Sequence, residues 1–207
     1  MTVGQFRAFV QEMGYETESQ HNGRGGAAYF QGKMKESLDF TREKPLPNHT
    51  AGDLEPVTQV TWNDAWAYTE WLSEVLNVTC RLPTEAEWEY ACLGKDREWK
   101  GMGKDFLEPI AVFKAEDVTA CGTKTPNSYG LYDMLGNTWE WCSDYGRAER
   151  LEPGKVTDPA GPLTGEGRVH RGGTYSASLN QLRSAFRKWS TQIYRGRIAG
   201  FRVLVET

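Results

Sequence analysis

The residues best suited to chemistry lie in the second half of the chain. Asp133 and Glu140 are separated by a Gly136-Asn137 turn, which lets backbone carbonyls converge between two carboxylates. Hard oxygen donors of that mix suit Ca2+, although the same side chains can also hold an ion-free turn by hydrogen bonds. Farther on, the run from Arg168 to Arg202 holds seven Arg and one Lys with no Asp or Glu; the rest of the chain keeps 16 of the 24 basic residues and all 28 acidic ones. Interleaved with these cations are Tyr175, Ser176, Ser178, Asn180, Phe186, Trp189, Thr191, Gln192 and Tyr194. Rigid aromatic anchors beside small adaptable polar groups are the composition of a binding surface. Two fates are open to the arginines. Arg183, Arg187 and Arg202 can reach inward to carboxylates such as Glu87, Glu89 or Glu140, or the set can surround a pocket for an anionic or peptide ligand. The expectation is a division: those three structural, with Lys188, Arg195 and Arg197 freer.

Other chemistry finds little support. Cys80, Cys92, Cys121 and Cys142 form no C-x-x-C pair, and His21, His49 and His170 are scattered. That argues against zinc and against a disulfide scaffold. Glu85, Glu87 and Glu89 alternate on an expected helix, where capping or ion pairing suits them better than acid–base catalysis. There is no nucleophile motif and no phosphate-binding glycine loop between a strand and a helix. The formal charge of only −4 argues against nucleic acid. No apolar run approaches the ~18 residues of a membrane span, and no basic start leads into an apolar stretch, so a cytoplasmic location is the default expectation.

The elements that must position these residues read as α+β. Thr2 to Gln5 is a capping box for a helix that Gly14 stops. Residues 15–56 read as a long loop, most flexible at Gly23-Arg24-Gly25-Gly26. Val57 to Trp62 reads as a short strand. Asn63 then caps a second helix with Ala65, Thr69, Leu72 and Leu76 inward. Thr84 and Glu87 form another capping box, for a helix over Glu85 to Leu93 with Ala86, Tyr90 and Leu93 inward. Residues 146–167 read as a Pro/Gly-rich loop. Arg168 to Arg171, Gln181 to Arg187 and Gly200 to Val205 read as strands.

Five segments, in order along the chain, resemble the formylglycine-generating enzyme family, also called sulfatase-modifying factors. They are Pro56-Val57-x-x-Val60-x-Trp62-x-Asp64-Ala65, Arg81-Leu82-Pro83-Thr84-Glu85-Ala86-Glu87-Trp88-Glu89-Tyr90, Gly130-Leu131-Tyr132-Asp133-Met134-x-Gly136-Asn137-x-Trp139-Glu140-Trp141, Arg171-Gly172-Gly173-Thr174 and Gly200-Phe201-Arg202. The resemblance implies one domain over residues 1–207 with a C-type-lectin-like fold. The family strand that precedes the segment matching Met1 to Phe6 is not in this sequence, which implies either an open edge on the Phe201–Val205 strand or a truncated chain. The resemblance also implies a structural calcium on Asp133, the carbonyls of Gly136 and Thr138, and Glu140.

Family members that oxidise a sulfatase cysteine hold Cu(I) on two thiolates shortly after the Arg-Gly-Gly turn. Counting from that turn, the first thiolate position falls on Ala177 and the second near Leu182, and residues 143–207 contain no cysteine. Copper is therefore not expected. The segment also resembles the variable region of proteins diversified by retroelements, with an Arg-Gly-Gly-Thr start, a Leu182-Arg183-Ser184-Ala185 middle and a Gly-Phe-Arg end. Together the two resemblances imply non-catalytic recognition of a protein or peptide. The binding residues would be Tyr175, Ser176, Ser178, Asn180, Phe186, Lys188, Trp189, Thr191, Gln192, Tyr194 and Arg197. The alternative is an oxidoreductase of the same family with other chemistry. Ligand identity and oligomeric state stay open.

Overall fold

The computed structural model describes residues 1–21, 23–30, 32–95, 103–146, 159 and 161–206. In chain order the first half contains α1 (Val3–Met13), α2 (Glu18–His21), β1 (Gly26–Phe30), β2 (Lys33–Ser37), α3 (Trp62–Leu76), β3 (Cys80–Arg81) and α4 (Glu85–Leu93). The second half contains α5 (Lys104–Leu107), β4 (Trp139–Gly146), β5 (Gly167–Arg171), β6 (Lys188–Ser190), β7 (Ala199–Phe201) and β8 (Leu204–Val205). A four-stranded sheet in the order β6-β5-β4-β7 carries the molecule, flanked by the β1-β2 hairpin and the β3-β8 pair.

All three longer helices start at a threonine. Thr2, Thr61 and Thr84 each complete a capping box with Gln5, Asp64 and Glu87, which satisfies N–H groups that the first helical turn leaves without partners. The expected cap at Asn63 is therefore displaced to Thr61, because the acid that closes the box is Asp64. Residues 57–61 form no strand, yet Val57 and Val60 are fully buried.

The stretch 15–56 is more ordered than its composition implies. It holds α2 and the antiparallel β1-β2 hairpin. Its expected flexible point is a tight contact: Gly25 has φ +68°, and a Cβ there would sit 1.9 Å from the Ser37 carbonyl oxygen.

Two apolar clusters sandwich β4. Phe6, Phe9, Tyr68, Leu82 and Phe201 surround Trp141 on one side. Trp88, Met134, Leu135, Val169 and Leu182 surround Cys142 on the other. Adjacent strand residues point to opposite faces, so one short strand seeds both clusters. On α4 the buried positions are Trp88 and Cys92, one turn apart; Tyr90, expected inward, is 61% exposed. On α3, Ala65 and Thr69 are buried as expected, but Leu76 is 49% exposed.

Toward the C-terminus, Gln181 to Arg187 is not a strand. Ser178 and Gln181 close a capping box on a one-turn 3-10 helix (Leu179–Gln181), and pairing with β5 begins only at Lys188. The expected strand from Gly200 to Val205 is split. β7 runs parallel to β4, β8 runs antiparallel to β3, and Arg202 between them turns toward Glu140. Each half therefore has a partner strand. Of the expected loop at 146–167, residues 147–158 and 160 lie outside the described residues.

Candidate recognition face

Two halves of the basic run have different surroundings. Arg171, with its side chain 1% exposed, pairs with Glu89 and lies 3.6 Å from Glu85. Arg187 makes a bidentate contact to Glu85, both bonds 2.8 Å long. Arg202 donates to both oxygens of Glu140, at 2.5 and 2.8 Å. Arg197 donates to Asp117 at 2.8 Å and to Glu55 at 3.1 Å. The inward roles expected for Arg187 and Arg202 match this geometry, although Arg187 chooses Glu85. Three expectations are corrected. Arg183 is exposed, donates to the Asn180 carbonyl and lies over the Phe186 ring, with no carboxylate partner among the described residues. Glu87 instead pairs with Arg81, whose hydrogen bonds pull the Glu87 carboxyl down to about 2. Arg195 and Arg197 are not free but 6% and 3% exposed, because the loop carrying them folds back onto β1 and residues 55–59.

Among the expected binding residues, Phe186 and Tyr194 pack on an aromatic bed, the sheet face of Trp139, Trp141 and His170, whereas Trp189, paired with Val169, belongs to the opposite face. Phe186 stacks on Trp139 at 5.8 Å between ring centroids. Tyr194 stands edge-on to Trp141 and to His170. Burial raises the Tyr194 phenol pKa, and the neighbouring Tyr175 phenol adds to the rise. Trp189 packs against Gly146, where a Cβ would come within 2.4 Å of its own Cβ. The Gln192 carbonyl accepts the Trp62 N–H. Tyr175, Phe186, Trp189, Gln192 and Tyr194 are half-buried, whereas Ser176, Ser178, Asn180, Lys188 and Thr191 are exposed. Arg197 does not reach this surface. Ile193, 48% exposed on the same loop, was missed by the sequence reading; an isoleucine in a polar turn was the available signal.

Beneath Tyr194 lies His170, 1% exposed and in contact with Trp141 at 3.7 Å between centroids. Neither ring nitrogen has a hydrogen-bond partner among the described residues. Burial, aided by the nearby Lys188 charge, pushes its pKa down to about 3, so the ring is neutral.

The carboxylates expected to hold calcium are occupied differently. Glu140 accepts both Arg202 bonds and a third, 2.7 Å, from Trp88 Nε1. Asp133 accepts the Gly122 N–H at 2.7 Å, and its buried Oδ1 has no partner. Gly136, with φ +83°, packs where a Cβ would meet the Val112 carbonyl at 2.1 Å. The Asn137 side chain exchanges hydrogen bonds with the Thr119 backbone. Among the described residues no three His, Cys, Asp or Glu side chains converge as metal ligands. For the expected set Asp133, Gly136, Thr138 and Glu140 to hold calcium, Glu140 would have to exchange Arg202 for the ion.

A family model described as "Sulfatase-modifying factor enzyme 1-like domain" matches residues 1–207. The chain belongs to this family. It is 36% identical over 176 residues to the formylglycine-generating enzyme of Streptomyces coelicolor, covering 75% of this chain and 52% of that one. It is 31% identical to the formylglycine-generating enzyme of Thermomonospora curvata, covering 96% and 77%. The chain thus spans about half the length of the first of these relatives. Among solved structures it is similar to Treponema denticola variable protein 1, with TM-score 0.68 and 28% identity over 78% of this chain and 74% of that one. PvdO from Pseudomonas aeruginosa superposes with TM-score 0.80 at 23% identity, covering 100% and 77%, which shows the shared fold. The fold is the C-type-lectin-like, mixed α+β type of formylglycine-generating enzymes.

Within this sulfatase-modifying-factor fold, Ala177, where the resemblance places the first thiolate, and Leu182, near the second, lie close together. A Cβ on Gly173 would sit 3.0 Å from Leu182 Cδ2 and 3.6 Å from Ala177 Cβ. Both side chains are buried in the cluster around Trp88 and Val169. Cys92 and Cys142 belong to the same cluster, and burial drives both thiols above their usual pKa, which disfavours the thiolate form.

Proposed function

We propose that this domain recognises a protein or peptide without catalysis, through the surface built by residues 174–194. The carrying observation is that Ala177, where the resemblance places the first thiolate, and Leu182, near the second, are buried hydrocarbon, while the same C-terminal segment presents half-buried aromatic rings and exposed Ser, Asn and Thr. Such a surface offers apolar contact area with little side-chain entropy to lose and hydrogen-bonding groups that adapt. The likeness to Treponema denticola variable protein 1 supports a recognition role on this scaffold. Arg197 is withdrawn from the proposed contact set because it is buried.

Panning a random displayed-peptide library on the purified protein tests this reading. Enriched peptides should bind the wild type and lose affinity for an Asn180→Ala/Thr191→Ala/Ile193→Ala variant, whose changes lie on exposed positions. Failure to enrich, or equal binding to the variant, would overturn it. So would stoichiometric copper or iron in the protein together with oxygen consumption on a cysteine-containing peptide.

A further inference from the structure

Resting on the recognition reading above, we propose that the partner is acidic: an extended, carboxylate-bearing polypeptide segment that pairs along the open edge of β6. Of the eight cations between Arg168 and Arg202, Arg171, Arg187, Arg197 and Arg202 are matched by carboxylates. Arg168, Arg183, Lys188 and Arg195 have no carboxylate partner among the described residues. Arg195 is enclosed, held on the Gly25 carbonyl, with its Nη2 lacking an acceptor. Arg168 is half-buried: its guanidinium lies 3.8 Å from the Trp62 ring centroid and 3.6 Å from that of Tyr145. One N–H of Arg168 donates to the Ser143 carbonyl at 2.6 Å, and its Nε has no acceptor. Burial strips this guanidinium of part of its water, a cost that lowers its pKa and is offset only in part by Tyr145 and by Asp144, a carboxylate that makes no direct ion pair with it among the described residues. An incoming carboxylate would relieve that cost.

The sheet supplies the docking edge. β6 ends the strand order and pairs only with β5; among the described residues no other backbone group bonds Lys188, Trp189 or Ser190. Such an edge is a template for an added strand, with main-chain bonds giving affinity and alternate side chains giving specificity. Because Arg168 pairs with Ser190 and His170 with Lys188, Arg168 and Lys188 project from the same face of the β5-β6 ribbon. A strand with acids at alternate positions would set its carboxylates on that face. Nucleic acid fits less well, since the acidic excess in the rest of the chain repels a polyphosphate backbone.

Titration of 15N-labelled protein with acetyl-(Glu-Val)3-amide, its (Lys-Val)3 counterpart and a short oligothymidylate decides the matter. The acidic peptide should shift the Lys188–Ser190 amides saturably and bind more weakly as salt rises. Arg183→Glu/Lys188→Glu, two exposed changes whose fold the same spectrum verifies, should weaken it about tenfold and admit the lysine peptide. No shifts with the acidic peptide, equal binding of the lysine peptide, or tighter binding of oligothymidylate would overturn the inference. If the acidic peptide fails while panned peptides still bind through Thr191 and Ile193, this inference falls alone. If both fail, the recognition reading falls with it.

Discussion

Arg202 and Lys188 belong to one acid-free run, but Arg202 ends on the buried carboxylate of Glu140 while Lys188 ends in solvent. The difference follows from desolvation. A guanidinium at the core boundary is stabilised by a fixed counter-charge, and Arg171, Arg187, Arg197 and Arg202 draw on Glu55, Glu85, Glu89, Asp117 and Glu140 from the acidic body, while Arg195 is held by carbonyls instead. A lysine on an edge strand keeps its water and needs none. The contrast teaches that the apparent basic face is thinner than the residue count implies: half of its charge locks loops to the core, Arg195 is enclosed as well, and of the rest Arg183 and Lys188 are exposed.

Breaking the inner layer should have the largest effect. Glu140→Ala leaves Arg202 uncompensated and Trp88 Nε1 without an acceptor, and should cost ~3–5 kcal/mol in chemical denaturation. A loss below ~1 kcal/mol would show that the pair is better solvated than its geometry implies.

The bed between the layers should show in pH dependence. His170 is neutral when folded, with its pKa pushed down to about 3, but titrates near 6.5 when unfolded. The unfolded chain therefore takes up the extra proton as pH falls below 6.5. Stability should decline by ~1.4 kcal/mol per pH unit from there toward the depressed pKa, with no pH dependence from this group above the unfolded value of 6.5. Between pH 6.5 and 5, above the carboxylate range, His170→Phe should flatten this slope. An unchanged slope would mean that the imidazole finds water or a partner.

On the surface, Tyr194→Ala should cost ~1–3 kcal/mol because its ring covers Trp141 and His170. Lys188→Ala should stay within ~0.5 kcal/mol. Equal costs for the two would erase the division between bed and rim. The smallest effect concerns calcium: adding Ca2+ or a chelator should leave the melting temperature unchanged. A calcium-dependent rise would show that an ion can displace Arg202 from Glu140.

Much of the frame was legible in the residues because it depends on neighbours in the chain. Thr2-x-x-Gln5 and Thr84-x-x-Glu87 announce their helices, Gly14 ends the first, and the absence of cysteine after residue 142 bears directly on copper. Errors began where distant segments compete. The periodicity of α4 fits Tyr90 inward as well as Trp88, and only packing against β4 selects Trp88. The hairpin at 26–37 hid in a glycine-rich stretch because its stability comes from register and close backbone approach. The sequence by itself carried the family resemblance, the starts of α1 and α4 and the lack of cysteine in residues 143–207. Only the tertiary structure decided which arginines are internal, that Glu140 serves Arg202 and Trp88, and that β6 pairs with β5 alone among the described residues, because ion pairing and burial depend on distances through space that the chain order does not encode.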